Sequence, residues 1–375
     1  MSSIQLSLMV GFMVPTTAPA SLMAALRSAE VTTTDRGPSG FQLQFELAPG
    51  TSDYALLSQG LLKPFNRVVL TVTMNAVPSV IMDGLITNHQ LMPGKGNQPD
   101  SIVVTGEDVS VAMDLQEKLM AYPAMNDAAI VAMILLEYME YGIVPLIIPT
   151  EISISDSPED VVAQQMGTDR AYINCLANRN GYIFQITPGP VAMMNTAYFG
   201  PPRRIGTPHK AITINQPPGT NVDSIQFTHD ALKPTLVMGS VQDTLETDMD
   251  IPIVTVASMR LPPLATEQPL TYLPYVRTSN FSSEGMDPIQ AYAKAQGITD
   301  KSTDDVLTAQ GELDVFRYQD ILTAPGLVGV RGVGELHDGL YYVSQVTHKI
   351  TPDSYKQSFM LTREGFGSNT PEVIP

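Results

Sequence analysis

Alternating apolar and polar residues predict β-strands along much of the chain, and the clearest stretch lies near the C-terminus, at residues 329–365. Apolar side chains recur there on one parity, which is typical of strands with one buried face. The apolar sets are Leu340, Tyr342, Val346 and Ile350 on the first segment, and Tyr355, Phe359 and Leu361 on the next. Asp338 and Gly339 are residue types that a tight turn favours. We therefore predict a meander that closes one side of a barrel.

A similar pattern occurs far upstream and has the same internal spacing. A strand follows an Asp-Gly-Leu triplet in both stretches, then a loop containing proline, then a strand with Ser, Thr and Glu at matching positions. The matched residues are Asp83, Gly84, Leu85, Pro93, Ser101, Thr105 and Glu107 upstream, and Asp338, Gly339, Leu340, Pro352, Ser358, Thr362 and Glu364 downstream. Two interpretations remain open at this point, a chance similarity between two β-hairpins or a duplicated β module.

The remaining pattern predicts strands separated by two helical blocks. Period-2 alternation predicts early strands at residues 4–12, 31–34 and 41–47. Helical spacing, caps and terminal glycines predict helices at residues 20–26, 109–121, 126–141, 168–180, 288–297 and 302–309, and another that starts at Ser157-Pro158. The order β, helical, β, helical, β predicts a β-rich α+β fold.

Charge restricts the partners that the surface can bind. The chain has 375 residues, a formal net charge of −17 and 30 prolines. A nucleic-acid-binding surface needs a basic stripe, so we predict no specific nucleic-acid binding. Residues 100–170 contain 13 acidic and two basic residues, a formal net charge of −11. A solvated outer face explains this acidic block better than a binding site for a cationic partner does.

No motif for a cofactor, a metal or a membrane span is found. Cys175 is the only cysteine, so the chain can form no internal disulfide and a reducing assembly site is permitted. The five histidines have no metal-ligand spacing, and no P-loop or dinucleotide-binding motif occurs. The apolar start of the chain alternates at residues 4–12, lacks a positively charged N-terminal region and is interrupted by Pro15, which favours a first strand over a signal peptide. We predict no cofactor and no membrane span.

Catalytic constellations are equally weak in the sequence. The acidic pairs Glu107-Asp108 and Asp304-Asp305 have the residue types for acid–base chemistry, but helix capping explains Asp108 well. His337 beside Asp338 is better explained as a turn pair, and His348 as a structural or interface histidine within a strand. A structural role therefore leads, and a β-rich hydrolase is the rival from another class.

Four stretches, taken in order, resemble the baseplate hub proteins of contractile phage tails and contractile injection systems. This family includes late control protein D and the hub region of VgrG. The stretches are the strand at residues 39–45, the segments at 82–86 and 103–108, the helix and strand from Ala171 to Pro201, and the C-terminal meander with its His348 and its ending at Arg363. Each motif is degenerate, but together they cover nearly the whole chain.

The resemblance implies a fold with two barrel-like antiparallel β domains, with helical and mixed domains on the outside. The expected division is residues 1–108 for the first barrel, 109–205 for an outer helical or mixed domain, 206–260 with 311–366 for the second barrel, 261–310 for an outer insertion with short helices and 367–375 for a C-terminal tail near the spike. Asp83, Gly84, Asp338 and Gly339 are expected to serve as turn or structural residues.

The resemblance also implies a non-enzymatic function. We expect a homotrimer that adapts a six-fold inner tube to a three-fold spike, with tube or tube-initiator proteins, a separate trimeric spike protein and baseplate proteins as partners. Gly365, Phe366, Gly367 and Ser368 are expected to lie near the spike. Assembly is expected in the bacterial cytoplasm, with the protein in the inner baseplate afterwards. A tube-initiator or another baseplate component is the alternative among structural proteins.

Overall fold

The computed structural model describes residues 4–47, 60–94, 99–150, 163–242, 250–257, 262–267, 275–282 and 288–369. The predicted helix that starts at Ser157 lies outside these ranges. Strands dominate, so the predicted β-rich α+β class is confirmed. The strands are β1 Ile4–Gly11, β2 Thr16–Thr17, β3 Leu26–Thr34, β4 Gly40–Leu47, β5 Arg67–Met74, β6 Val77–Met92, β7 Asp100–Asp108, β8 Glu117–Tyr122, β9 Ile143–Ile147, β10 Ala163–Thr168, β11 Ile183–Pro188, β12 Asn195–Gly200, β13 His209–Thr213, β14 Ser224–His229, β15 Thr235–Gln242, β16 Asp250–Val254, β17 Arg277–Ser282, β18 Leu307–Asp314, β19 Gly326–Arg331, β20 Gly339–Thr351 and β21 Ser354–Arg363.

The helices are few and short. They are α1 Ala20–Ala25, α2 Asp127–Leu136, α3 Asp169–Arg179, α4 Pro288–Thr303 and α5 Val315–Tyr318, with 3₁₀ turns at Val109–Asp114 and Met139–Tyr141. Side-chain caps begin two of them where the sequence predicts. Asn126 Oδ1 accepts from Ala129 N–H at 2.9 Å, and Thr168 Oγ1 accepts from Ala171 N–H at 3.2 Å. Gly142, in the left-handed region, follows the second 3₁₀ turn.

One 13-stranded sheet contains two groups of six strands with the same topology. We call β1 and β3 to β7 the first β module, and β13, β14 and β18 to β21 the second β module. The neighbour order is β1-β5-β6-β7-β4-β3 in the first and β13-β19-β20-β21-β18-β14 in the second. Corresponding strands also follow one another in the same order along the chain. One difference is that β13 is parallel to β19, whereas β1 is antiparallel to β5. The repeated topology favours a duplicated module over chance.

The two β modules are joined edge to edge in one sheet. Strand β3 pairs with β20 in antiparallel register, from Ala29 opposite Ile350 to Thr34 opposite Gln345. The Oγ1 atoms of Thr32 and Thr347 lie 2.9 Å apart across this seam. One continuous hydrophobic cluster contains buried residues of both modules. In the described part of the chain, β14, β13 and β2 each have one strand neighbour in this sheet, so the sheet is open at these three strands.

A β-bulge alters the predicted face of the C-terminal meander. The register of β20 with β21 shifts between Val343 and Gln345. A bulge inserts one residue, so the side chains before it point to the opposite face from those predicted by strict alternation. Tyr342 and Leu340 accordingly pack in a separate small cluster, while Val346 and Ile350 belong to the main core. The prediction that all four share one face was wrong, whereas Tyr355, Phe359 and Leu361 do share the core face.

The described residues between 109 and 200 form an outer module with its own core. It contains the sheet β11-β12-β9, the two-stranded sheet β10-β8 and the helices α2 and α3. The predicted helix at residues 109–121 is wrong, because a 3₁₀ turn ends at Asp114 and β8 follows. Asp108 caps the turn by accepting from Ser110 N–H at 2.9 Å. That capping interaction was predicted.

A second outer segment is inserted between β14 and β18. Strands β15, β16 and β17 form a sheet of their own that packs on α4, although the prediction placed residues 235–254 in the second barrel. The prediction ended helix α4 at Gly297, but the helix continues through this residue to Thr303. Gly297 is needed for a close approach, since a Cβ there would lie 2.7 Å from Gly181 N. The predicted helix at residues 302–309 is wrong, because β18 begins at Leu307.

Candidate interaction site at the C-terminal segment

The buried side chain of Arg363 organises the end of the second β module. Its guanidinium donates to three backbone carbonyls, those of Gly365 at 2.9 Å, Asp338 at 3.0 Å and Leu336 at 2.7 Å. It also lies 4.4 Å from the ring centroid of Tyr341. Burial lowers the pKa of Arg363. One side chain therefore ties the end of β21 to the loop that precedes β20.

The predicted turn at Asp338-Gly339 contacts the predicted spike-proximal residues. The Asp338 carboxylate accepts from Val333 N–H at 2.8 Å and from Gly332 N–H at 3.2 Å, which closes the loop before β20. Gly339 has φ +128°, and a Cβ at this position would lie 2.5 Å from Ser368 Oγ. These two groups of residues, distant in the sequence, lie together in the structure.

Gly365, Phe366 and Gly367 are held by specific contacts. Phe366 stacks on His229, with ring centroids 4.5 Å apart and 17° between planes, and its carbonyl accepts from Glu267 N–H at 3.1 Å. Gly367 has φ +76°, and its N–H donates to Leu336 O at 3.1 Å. A Cβ on Gly365 would lie 2.3 Å from Glu267 O. The glycines are explained by these close approaches.

Glu364 connects the same segment to two other parts of the chain. Its carboxylate accepts from the backbone N–H groups of Leu264 and Ala265, the latter at 2.8 Å. It also pairs with Arg204 at 3.0 Å, and Arg204 pairs with Asp304 at 2.8 Å. Glu107, the residue that matches Glu364 in the upstream echo, likewise pairs with an arginine outside its module, Arg170, at 2.6 Å.

An apolar cavity of about 260 Å³ adjoins Phe366. Its lining comes from the end of β14, from the outer insertion and from the C-terminal segment. The lining residues are His229, Ala231, Leu232, Pro234, Glu267, Tyr275, Val276, Val306, Glu364, Gly365 and Phe366. Leu232 and Tyr275 at its rim are 72% and 84% exposed. A concave apolar surface with exposed large side chains at its rim is a candidate site for protein–protein contact.

Asp83 and Gly84 were expected to be turn or structural residues. They lie inside β6 and not in a turn. Asp83 is buried and forms a bidentate ion pair with Arg67, whose Nε and Nη2 each donate to a carboxylate oxygen at 2.7 Å. Asn195 Nδ2 donates to the same carboxylate at 3.0 Å, and Arg67 donates to Tyr141 O at 2.8 Å. Gly84 faces β7 so closely that a Cβ would lie 2.2 Å from Glu107 O. The pair joins the first β module to the outer module.

A polar cleft of about 340 Å³ contains the Asp304-Asp305 pair that sequence reasoning considered for catalysis. Asp305 accepts from Arg36 at 2.6 Å and from Lys233 at 2.8 Å, and Asp304 pairs with Arg204. Burial raises the pKa of Asp35 in the same cleft to about 6, against the opposing effects of Tyr342 and Arg36. Both carboxylates of the pair are thus ion-pair acceptors that hold the modules together.

The other candidate residues have structural contacts. His348 is buried, and its Nδ1 forms a hydrogen bond of 2.7 Å with the Tyr355 hydroxyl. Burial lowers the pKa of His348 to about 4. Among the described residues, no cluster of three potential ligands is placed to hold a metal ion. Within the same ranges, no helix has the length and apolar character to cross a bilayer.

Sequence reasoning missed the buried arginines that organise these sites. Arg67, Arg204 and Arg363 are 3%, 6% and 0% exposed. Charged residues are almost never fully buried unless they are paired, so an arginine beside or within an apolar strand is an informative signal. Arg67 precedes Val-Val-Leu, and Arg363 follows Met-Leu-Thr. Arg204 is 160 residues from Glu364, and Arg67 is 16 residues from Asp83 and 74 from Tyr141, so local sequence patterns did not reveal these contacts.

Comparison with known proteins gives structural matches only. No protein-family model matches the chain, and no curated protein matches it significantly. The structure is similar to the 43 kDa tail protein of prophage MuSo2 from Shewanella oneidensis, with 12% identity, 96% of this chain and 99% of that chain covered, and a TM-score of 0.64. It is also similar to a tail protein from Neisseria meningitidis, with 12% identity, coverage of 97% and 98%, and a TM-score of 0.63.

A third similar structure is an E. coli component of the type VI secretion system, itself described as structurally similar to T4 bacteriophage tail proteins. Identity is 12%, coverage is 93% of this chain and 77% of that chain, and the TM-score is 0.54. Identities at this level show the fold alone. The chain therefore has the fold of phage tail proteins and of a type VI secretion component.

Proposed function

We propose that this protein is a non-enzymatic baseplate hub of a phage-tail-like contractile particle, of the late control protein D and VgrG hub type. The observation that carries the proposal is the repetition of one β topology twice in a single chain. Three such chains in a ring contain six similar modules. That ring matches a six-fold tube through its modules and a three-fold spike through its chains.

Two further observations support this proposal. The fold extends over nearly the whole of two solved tail proteins, with no large part of either chain left over. The carboxylates of Asp304 and Asp305 in the polar cleft are ion-paired with arginine and lysine, which suits a structural contact between modules better than acid–base catalysis. The same proposal includes assembly in the bacterial cytoplasm and a final position in the inner baseplate.

The proposed partners are inner tube or tube-initiator proteins, surrounding baseplate proteins and a separate trimeric spike protein. We place the spike at Gly365 to Ser368 because this segment borders the apolar cavity and its exposed rim. Stacking on His229 and the backbone contacts of Phe366 fix the segment in one position. A fixed apolar surface loses little conformational entropy on binding, which favours a stable contact.

Native mass spectrometry of the purified chain, followed by electron microscopy with added tube and spike proteins, tests the proposal. We expect a trimer whose averaged images show six-fold features at one face and three-fold features at the other. A ring that binds tube protein but never spike protein favours the tube-initiator alternative. A chain that stays monomeric with both partners present contradicts the hub.

An activity screen distinguishes the hydrolase alternative. We expect no turnover of peptidoglycan or glycans by the wild-type chain. Turnover that Asp304→Asn or Asp305→Asn abolishes, while the variants keep their fold, would contradict a purely structural function.

A further inference from the structure

The seam between the two β modules uses two strand edges whose counterparts are open elsewhere in the same chain. Within the chain, β3 of the first module pairs with β20 of the second. The repeated topology makes β14 the counterpart of β3, and β6 the counterpart of β20. A contact of the same kind therefore requires β14 and β6, which belong to different β modules.

Strand β14 has an open edge. Its hydrogen-bonded neighbour is β18, and no second neighbour occurs among the described residues. Ser224, Gln226 and Thr228 are exposed, while Ile225 and Phe227 are half-buried against the core. The strand thus has the alternation of a sheet edge, where backbone N–H and C=O groups on one side can pair with another strand.

Among the described residues, no strand pairs with the outer half of β6, Thr87 to Met92, on the side opposite β7, which leaves a second open edge. Pairing of β6 with β5 ends at Leu85, whereas pairing with β7 continues to Met92 opposite Ser101. Thr87, Asn88, His89 and Gln90 are exposed. In β20, the corresponding half is the part that β3 covers.

We infer that β14 of one copy pairs in antiparallel register with the outer half of β6 in the next copy, reproducing the β3–β20 seam between chains. The inference rests on the proposed ring and specifies its interface. The contact is heterologous, because two different edges meet, and such contacts close into rings when the rotation allows. Every module in the ring then meets the next through the same kind of seam, and the open edges of β14 and of the outer half of β6 are covered.

The internal repeat also gives the register. The sequence echo matches Ser101 with Ser358, and these residues face Met92 and Thr347. Met92 is therefore the counterpart of Thr347. On the other edge, Val31 faces Phe41 and His229 faces Leu307. Phe41 and Leu307 are in turn opposite Gly106 and Arg363, which the echo matches.

His229 is thus the counterpart of Val31, and Asp230 is the counterpart of Thr32. The N–H of Asp230 donates to Val306 O at 2.9 Å, so the ladder continues to this residue. The pair Thr32–Thr347, which faces directly across the internal seam, predicts that Asp230 of one copy faces Met92 of the next.

Disulfide cross-linking tests this pairing in the full-length chain. Cys175→Ser first removes the only cysteine. Met92→Cys and Asp230→Cys are then added, because directly opposed residues of antiparallel strands have Cα atoms about 4.5 to 5.5 Å apart, within reach of a disulfide. After mild oxidation we expect a covalent trimer in non-reducing gels that returns to single chains on reduction.

The matched control is Thr32→Cys with Thr347→Cys in the same background, which should form a disulfide within one chain. The Met92→Cys and Asp230→Cys single variants should form no covalent trimer. If native mass spectrometry shows a trimer and the control pair oxidises, but Met92→Cys with Asp230→Cys does not link chains, the edge pairing is wrong and the hub proposal stands. A chain that stays monomeric and unlinked contradicts both.

Discussion

Buried arginines connect the modules of this protein at the scale of single residues. Arg67 pairs with Asp83 of β6 and with the outer module, and Arg204 pairs with Glu364 after β21. The planar guanidinium can donate in several directions at once, which suits a junction where carboxylates and carbonyls of different segments meet. Asp83 and Glu364, which look like isolated acidic residues in the sequence, are ion-paired at these junctions.

Arg67→Met is expected to destabilise the protein strongly. The substitution leaves Asp83 buried without its cation, and breaking a buried pair in this way typically costs about 3–5 kcal/mol. Arg27→Met, which removes the exposed pair of Arg27 with Glu46, should cost about 0–1 kcal/mol. Denaturant unfolding of both variants measures the difference. Equal, small losses would show that the Arg67 pair does not stabilise the junction.

Asp35→Asn is expected to stabilise the protein at pH 7.5 and to lose that advantage in acid. Burial raises the pKa of Asp35 from its ordinary 3.8 to about 6, so the folded state disfavours the carboxylate. The cost is present above about pH 6 and disappears as the pH falls towards about 4, since the folded chain then binds the proton. A change of this size corresponds to about 3 kcal/mol at most.

Thermal unfolding of the wild type and Asp35→Asn at several pH values between 4 and 8 measures this difference, because the other titrating groups are shared. Asp305→Asn is the control. It removes the acceptor of Arg36 and Lys233 and should destabilise the chain at pH 7.5. An Asp35→Asn variant that is less stable than the wild type at pH 7.5 would contradict the expectation.

Gly339→Ala should loosen the C-terminal segment more than Gly334→Ala does. Both glycines have positive φ, +128° and +102°, which costs a non-glycine residue about 1–3 kcal/mol. At Gly339 the new methyl group would also lie 2.5 Å from Ser368 Oγ, whereas at Gly334 it would have no atom within 4 Å. Adding Ser368→Gly to Gly339→Ala should recover part of the loss in melting temperature. No recovery would show that the contact with Ser368 is unimportant.

At the scale of elements, sequence periodicity predicted strands correctly where apolar and polar residues alternate strictly. The strand at residues 41–47 and the set Tyr355, Phe359 and Leu361 were predicted correctly because each keeps strict alternation. The bulge in β20 is a one-residue irregularity that alternation alone does not reveal. It reverses the faces of Leu340 and Tyr342 and explains that error.

Helix predictions failed where tertiary contacts override local spacing. Residues 117–122 have helical spacing, but they form β8 because β10, about 45 residues away in the sequence, provides its partner. Gly297 is a common helix terminator, yet α4 continues because close packing against Gly181 requires a residue without a side chain there. The Arg67–Asp83 and Arg204–Glu364 pairs were unpredictable for the same reason, since their partners meet only in the folded chain.

The insertion of β15, β16 and β17 with α4 is expected to open before the main sheet. Its core consists of Val237, Val241, Ile253, Ala291 and Ala295, whereas the main cluster includes buried residues of both β modules. Segments with few buried apolar contacts have low local stability. Hydrogen exchange followed by mass spectrometry should show faster exchange in β15 and β16 than in β20 and β21. Equal protection would mean that the insertion and the sheet unfold as one unit.

At the scale of the whole molecule, duplication explains why one chain has both the β3–β20 seam and the matching open edges of β14 and of the outer half of β6. The echo between residues 83–107 and 338–364 indicated the repeat, but the sequence alone did not distinguish it from chance. The common strand order does so, because six strands recur with the same neighbours. Insertions between β7 and β13 and between β14 and β18 then place the outer modules without interrupting the repeat.

A chain truncated after Asn369 is expected to keep its ring and to bind the spike protein more weakly, because it lacks most of the tail at residues 367–375 that we expect to lie near the spike. Arg363 and Phe366 hold the segment up to Ser368 through contacts that the truncation leaves intact, and Asn369 Nδ2 still donates to Ala265 O at 2.9 Å. Native mass spectrometry should therefore show an unchanged oligomer. Pull-down with the spike protein measures the loss of binding. Phe366→Ala provides the matched comparison, because it alters the cavity wall without shortening the chain. If both variants bind spike protein as the wild type does, the spike docks elsewhere on the ring.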